Sequence, residues 1–315
     1  MKTTLIAATA LASLIGTSAM AETIAVSMAR FDDNFLTVLR NGMIETAAEM
    51  EDVDLQIEDA TSDVAKQLNQ IKNFIASGVD AIIVNPVDTS ATQAMTNAAK
   101  SAGVPLVYVN RQPVNVDTLP ENQAFVGSNE VESGTLAAFE ACKILRAQGL
   151  ANGAKGYMLM GKLSNQAAVV RSQDVRDILG IAMCDFIKLI DEQSAEWSRN
   201  MAQDQMTNWL SSGEDFDVVF SNNDEMAIGA IQAMKAAGIS MDDVVVTGVD
   251  ATQDALLAMA AGDLDVTVFQ DAAGQGSGAL NAALALANGE DVDQKVYIPF
   301  KLVTPDNMQS FMDEN

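Results

Sequence analysis

The sequence predicts an α/β protein made of two doubly wound parallel-sheet lobes. Short apolar segments alternate with helical stretches of about a dozen residues or more, the pattern of repeated βαβ units. These segments fall into two series of five, and no low-complexity linker separates the series. Polar residues follow the apolar segments with regularity. In open parallel sheets, ligands bind outside the carboxyl ends of the strands, so two such lobes would place two sets of polar loops around one cleft.

The first series reads TIAVSM (23–28), VDLQIE (53–58), DAIIV (80–84), PLVYV (105–109) and AFVGS (124–128). The second reads KGYMLM (155–160), FIKLI (186–190), FDVVF (216–220), VVVTGV (244–249) and LDVTVF (264–269). Runs that are apolar on both faces suit strands buried between two helical layers. Between them, residues 35–50 carry Leu36, Leu39, Met43 and Ala47 on one stripe, and residues 64–77 carry Leu68, Ile71 and Ile75. Gly78, Gly103, Gly238 and Gly262 each follow a helical run and suit left-handed C-caps.

Residues 1–21 hold Lys2, an apolar core from Leu5 to Ile15, and small residues at Ala19 and Ala21, which reads as a signal peptide removed near Ala21. The core is too short to span a bilayer, and the Cys of a lipoprotein site is missing. The chain of 315 residues carries 43 acidic against 18 basic residues, a formal charge of −25. A field of that sign repels nucleic acid and anionic lipid. Histidine is absent, which removes Ser-His-Asp and Cys-His triads and HExxH zinc sites. No calcium loop of the DxDxD type precedes a distant Glu, and neither cofactor nor metal is expected. Cys142 and Cys184 cannot form a four-thiolate site; they pair as a disulfide in an oxidising compartment or stay as two buried thiols.

The loops after the strands are informative. The first offers Asp33, Asn34 and Phe35; the third offers Asn85 before Pro86; the fourth offers Asn110, Arg111 and Gln112. In the second series come Asn165 and Gln166 with Arg171 one turn on, Trp197 with Arg199, Asn222-Asn223-Asp224, Asp250, and Gln270-Asp271. The stretch FSNNDEMAIGAIQAM (220–234) sets a polar turn between a strand and an apolar helix, with Asp224 expected as the cap and Asn223 left for a ligand. Carboxylates, amides, guanidiniums and aromatics suit a polyhydroxylated ring. Each hydroxyl both donates and accepts, Arg beside Asp lets charge be buried in pairs, and Phe35 and Trp197 would cover the C–H faces. The plainer reading makes Asp33 and Asp250 helix caps, Phe35 a core residue and Trp197 an anchor; coincidence across seven loops favours the cleft.

The segments VSMARFDDNFLTVLRNGM, VDAIIVNPVDTSA, VYVNRQP, NNDEMAIGAIQAM, VTGVDATQDAL and VTVFQDAAGQG resemble those of the periplasmic sugar-binding proteins of ABC importers, in the ribose-binding branch. The resemblance runs from Glu22 to the C-terminus. It implies the type I periplasmic binding protein fold, with two lobes joined by a three-stranded hinge and crossings near Ser128, Gln270 and Phe300. The N-terminal lobe would comprise 22–128 with 271–299, and the C-terminal lobe 129–270 with 300–315. It also implies ligand contacts from Asp33, Phe35, Asn85, Asn110, Arg111, Arg171, Trp197, Asn223, Asp250 and Gln270. Where this chain has Asp33, Asn110 and Trp197, the ribose-binding pattern has Asn, Asp and Phe. FDDNFLTVLRN and EWSR resemble the cyclitol branch, with its inositol-binding and rhizopine-binding members.

The resemblance implies a non-enzymatic monomer in the periplasm that closes over myo-inositol or a related cyclitol and serves an ABC permease. Ribose, galactose or xylose is the alternative ligand, and presentation to a chemoreceptor or sensor kinase the alternative role. A glycosidase using Asp33 and Asp250 is disfavoured because arginine and amide neighbours are expected to keep both carboxyls ionised, whereas a general acid needs a raised pKa.

Overall fold

The computed structural model describes residues 21–312 and 314, so the signal-peptide segment lies outside the described residues except for Ala21. The chain runs β1 (Glu22–Met28), α1 (Asn34–Ala48), β2 (Val53–Asp59), α2 (Val64–Ser77), β3 (Ala81–Val84), α3 (Thr92–Ala102), β4 (Leu106–Val109) and β5 (Gln123–Gly127). It continues through α4 (Val131–Ala147), β6 (Ala154–Met160), α5 (Gln166–Leu179), β7 (Ile187–Ser194), α6 (Arg199–Ser211), β8 (Val218–Ser221), α7 (Asp224–Ala236), β9 (Val245–Thr247) and α8 (Gln253–Ala260). It ends with β10 (Thr267–Phe269), α9 (Ala272–Ala287), β11 (Lys295–Tyr297) and β12 (Lys301–Val303).

The first lobe is a parallel sheet in the order β11-β5-β4-β3-β1-β2. The alternation of side chains along each strand builds a core on both faces. Ile24, Val26, Ile83 and Val107 meet α1 and α9, whereas Ala25, Ile82, Val84 and Tyr108 meet α2 and α3. The second lobe is a parallel sheet in the order β7-β6-β8-β9. There Tyr157, Leu159 and Val219 face α6 and α7, while Met158, Val218 and Phe220 face α4 and α5. Both sheets are therefore covered on both sides, which is why inner strands such as β3, β4 and β8 read as apolar runs, whereas the edge strands β2 and β7 interleave exposed polar residues.

The fifth strand of the second series departs from the sequence pattern. β10 touches the rest of the lobe through isolated bridges, Thr247 to Val266 and Asp250 to Phe269, and its ladder is an antiparallel pairing with β12. Two later strands, β11 and β12, escape the apolar pattern because each is short, begins with Lys and is only partly buried. The chain leaves the first sheet after β5, returns through α9 and β11, and enters the β10–β12 pair again at Lys301.

Local signals fix the helix ends. Asp33 caps α1 by accepting from the Leu36 N–H, and Asp63 caps α2 through Lys66. Gly78, Gly103, Gly238 and Gly262 all adopt positive φ, between 72° and 81°, where a Cβ would be strained. Cys142 on α4 and Cys184 before β7 form a disulfide with Cα atoms 5.7 Å apart, beside the α4–α5 core and on the far side of the second sheet from α6 and α7. Among the described residues no helix is long and apolar enough to cross a membrane.

Candidate functional site

A cavity opens between the two lobes at the carboxyl ends of both sheets. The first lobe contributes Asp33, Phe35, Leu36, Asn110 and Arg111. From the second lobe and the crossings come Glu130, Asn165, Ala167, Arg171, Trp197, Asn223, Asp250 and Gln270. Nine of the ten residues singled out in the sequence thus share one wall system. Asn85 does not. It is fully buried beneath the floor, where its Oδ1 accepts from the Ala29 N–H (3.4 Å) and its Nδ2 donates to the Val109 carbonyl (3.2 Å) and Asn110 Oδ1 (3.3 Å).

Backbone strain concentrates here. Asn110 (φ 64°), Trp197 (φ 67°) and Asp250 (φ 120°) hold conformations that L-residues rarely adopt, each costing on the order of 1–3 kcal/mol. Such a cost persists where surrounding bonds over-determine the position. Asn110 is pinned by Asn85 and by donating from Nδ2 to Gln275 Oε1 (3.2 Å). Trp197 is pinned by its indole N–H, which donates to Asn165 Oδ1 (2.9 Å), and by the bare face of Gly161, where an added Cβ would stand 2.2 Å from the ring.

The two cavity guanidiniums are used differently. Arg171 donates from Nε and Nη2 to Glu130 (2.6 and 3.2 Å), from Nη2 also to Gln270 Oε1 (3.1 Å), and from Nη1 to the Asn222 carbonyl (2.8 Å). Asp250 Oδ1 lies 3.8 Å from Nη1. Four of the five guanidinium N–H groups are therefore spent on the protein. Burial opposes the charge, but Glu130 above all, with Asp250 and Asp224, outweighs it and raises the Arg171 pKa. Arg111 has one described acceptor, the Pro86 carbonyl at 2.9 Å. Burial pushes its pKa down to about 10, with Asp33 opposing the shift and Arg30 adding to it. It faces the cavity with most of its donors unspent.

Two expectations are corrected. The cap of α7 is Asn223, whose Oδ1 accepts from the Met226 N–H (3.1 Å), and not Asp224. Asp224 turns inward, accepting from the Thr267 hydroxyl (2.7 Å) and the Thr252 N–H (2.8 Å), because the chain after β9 and β10 delivers those donors to it. Asn223 still lines the cavity, with its Nδ2 making no hydrogen bond to a described residue. The second correction concerns ionisation: burial raises the Asp250 pKa well above the ordinary value despite the Arg171 charge, with Asp224 and Asp33 adding to the rise. Asp33 has Oδ1 on the Leu36 N–H (3.0 Å) and Oδ2 on Arg30 Nη2 (2.8 Å).

Sequence reasoning passed over Glu130, which is buried against Arg171, and placed Asn165 among the cleft loops but not among the ligand contacts. The only signal for Glu130 was its position just past β5, at the expected crossing. Among the described residues no cluster of three or more His, Cys, Asp or Glu could hold a metal ion.

The periplasmic binding protein domain model matches residues 24–291. The chain belongs to that family. It is 60% identical over 306 residues, covering 97% of both chains, to a "putative rhizopine-binding protein" of Rhizobium meliloti. Among solved structures, an ABC transporter solute-binding protein of Bacillus halodurans with bound myo-inositol superposes with a TM-score of 0.87 at 40% identity, over 95% of this chain and all of that one. A Caulobacter myo-inositol binding protein bound to myo-inositol gives a TM-score of 0.81 at 26% identity, over 91% and 95% of the two chains. As a type I periplasmic binding protein, this chain holds its cavity at the interface that the fold places between the lobes.

Proposed function

We propose that this periplasmic binding protein captures a cyclitol, myo-inositol or a close relative, by closing its lobes over it, and delivers it to the permease of an ABC importer. The observation that carries the proposal is the half-buried Arg111 guanidinium, which has a single described protein acceptor and lines the cavity together with Asp250, Asn223 and Trp197. A ring bearing a hydroxyl on every carbon would take those donors and return its own protons to Asp33, Asp250 and Gln270. Phe35 and Trp197 enter the cavity from opposite lobes and would cover the ring's C–H faces. The differences from the ribose-binding pattern at Asp33, Asn110 and Trp197 favour a cyclitol over ribose, as does the likeness to relatives that hold myo-inositol.

A ligand touching both lobes stabilises the closed state through contacts that the open state lacks. Micromolar affinity, about −8 kcal/mol, suffices for capture and still allows release. The protein would act as a monomer exported through residues 1–21, with the closed surface recognised by the permease and by any chemoreceptor that shares it. No catalysis is proposed. Nitrophenyl glycosides incubated with the protein should remain intact.

The test is a thermal-shift screen of the ligand-free protein against pentoses, hexoses and cyclitols, followed by calorimetry with myo-inositol, ribose, galactose and xylose. The largest shift is expected from myo-inositol or a related cyclitol. A ribose, galactose or xylose shift with none from any cyclitol would overturn the ligand assignment.

A further inference from the structure

Asn165 stands at the N-cap position of α5 with the extended backbone of a cap (φ −106°, ψ 129°), yet its side chain accepts no helix N–H. Asn is among the residues most favoured there because it normally accepts one. Here both ends of the amide are committed elsewhere. Oδ1 accepts from the Trp197 indole (2.9 Å), and Nδ2 donates to the Val87 carbonyl of the other lobe (3.2 Å). Another of the free N–H groups in the first turn is met from across the cleft: Gln166 N–H donates to Thr89 Oγ1 (3.1 Å). Thr89 in turn donates its own N–H and its hydroxyl proton to the Ser164 carbonyl, each at 3.1 Å. Thr89 and Asn165 are both buried.

We infer that Asn165 and Thr89 form a closure latch, in which the first lobe caps α5 of the second and Asn165 ties that cap to the aromatic wall of the cavity. The inference rests on the proposed closure of the lobes over a ligand. When the lobes part, the Gln166 N–H and the Ser164 carbonyl can turn to water, so the open state loses little. On closing they are dehydrated and need Thr89 as their partner. A ring held against Trp197 steadies the indole, the indole steadies the Asn165 amide, and the amide is then aimed at Val87. Asn165 is thus a positioning residue: it acts on the ligand through Trp197 and on the lobes through Val87. The exposed contact on another side of the cleft, Asn34 Nδ2 to Glu225 Oε1 (2.8 Å), is open to water and salt and carries less.

The test compares the wild type with Thr89→Val and Asn165→Ala, using myo-inositol as the titrant in stopped-flow and calorimetric measurements. Thr89→Val keeps the shape and the N–H but removes the cap. It should weaken binding about 10-fold, nearly all of it as faster dissociation, with the ligand-free melting temperature unchanged. Asn165→Ala should weaken binding by at least as much and shift the Trp197 indole N–H resonance, assigned against Trp209→Phe. In the double variant the losses should fall short of additive, because both act through one closure step. Lobe separation is read in parallel by single-molecule FRET between dyes at Lys72→Cys and Lys188→Cys, where both variants should lower the closed fraction with or without titrant. Should wild type fail to bind myo-inositol, the ligand assignment fails and the FRET arm alone decides the latch. An unchanged closed fraction in both variants would overturn it, as would equal loss in association and dissociation rates.

Discussion

Replacing Arg111 with Met separates ligand binding from folding more sharply than any other single change in the cavity. The lowering of the Arg111 pKa to about 10, mainly by burial, corresponds to a native-state cost on the order of 3 kcal/mol for keeping the guanidinium charged. Against this stands one hydrogen bond to the Pro86 carbonyl, about 1 kcal/mol. Met fills most of the same volume without that cost, so the ligand-free variant should be as stable as wild type or slightly more so. Binding should fare otherwise. Two charge-assisted hydrogen bonds to ring hydroxyls, at roughly 1.5–3 kcal/mol each, amount to a loss of about 10²-fold or more in affinity. At 1 mM myo-inositol, a micromolar wild type gains about 4 kcal/mol of stability, whereas a variant with a Kd near 100 μM gains about 1.4 kcal/mol. Calorimetric unfolding with and without myo-inositol, with urea midpoints for the ligand-free forms, gives both numbers. A variant that keeps more than half of the ligand-induced shift refutes the role of the unspent donors. One whose ligand-free stability falls by more than about 2 kcal/mol refutes the assignment of Arg111 to the ligand rather than to the fold.

Arg171→Met should behave in the opposite way, lowering ligand-free stability by about 3–5 kcal/mol in urea unfolding, because Glu130 and Asp250 are left buried without their cation. Burial holds the Asp224 pKa at about 7 against an ordinary 3.8, so between those values the folded state binds a proton that the unfolded state has lost. Stability is therefore fully supported below pH 4 and falls as pH rises toward 7; Asp224→Asn should flatten that slope by up to about 1.4 kcal/mol per pH unit, read from urea midpoints across pH 4–8. Breaking the Cys142–Cys184 bond with the double Ser variant should cost about 3–4 kcal/mol, as expected for opening a loop of 42 residues. Calorimetry should find its myo-inositol affinity within about twofold of wild type, because the bond belongs to the α4–α5 face rather than to the cavity wall.

Much of the lobe architecture is legible in the sequence because a sheet buried on both faces leaves an apolar run for each inner strand and an alternating one for edge strands such as β2 and β7. The four glycine caps are legible because only glycine meets a positive φ without strain. Short, partly exposed strands that begin with Lys, such as β11 and β12, leave no apolar run to read, and β10 pairs outside its own sheet because it lies at a crossing. The cavity was readable for a related reason: a residue that directly follows a parallel strand lies on the ligand side of the sheet, as Arg111 and Asp250 do. Asn85 follows the same rule but stops one layer short, since the amide of Asn110 rests on it. At the α7 turn, Asn223 and Asp224 are equally good caps by composition. The donors on Thr252 and Thr267, brought in from later strands, draw Asp224 away.

What the sequence alone determined is the alternation of strand and helix, the side of each sheet on which the polar loops gather, and the kinds of group they offer. These depend on neighbours along the chain, whose spacing is fixed by covalent geometry. Only the tertiary structure decided how those groups divide their hydrogen bonds. Arg171 spends four of its five N–H groups on Glu130, 41 positions away, Gln270 and the Asn222 carbonyl, Arg111 is left open to the cavity, and Asn165 gives up its own helix for Trp197 and Val87. A donor's partners depend on which acceptors arrive within 3 Å after the lobes have packed, and burial then sets the cost of every bond left unmade.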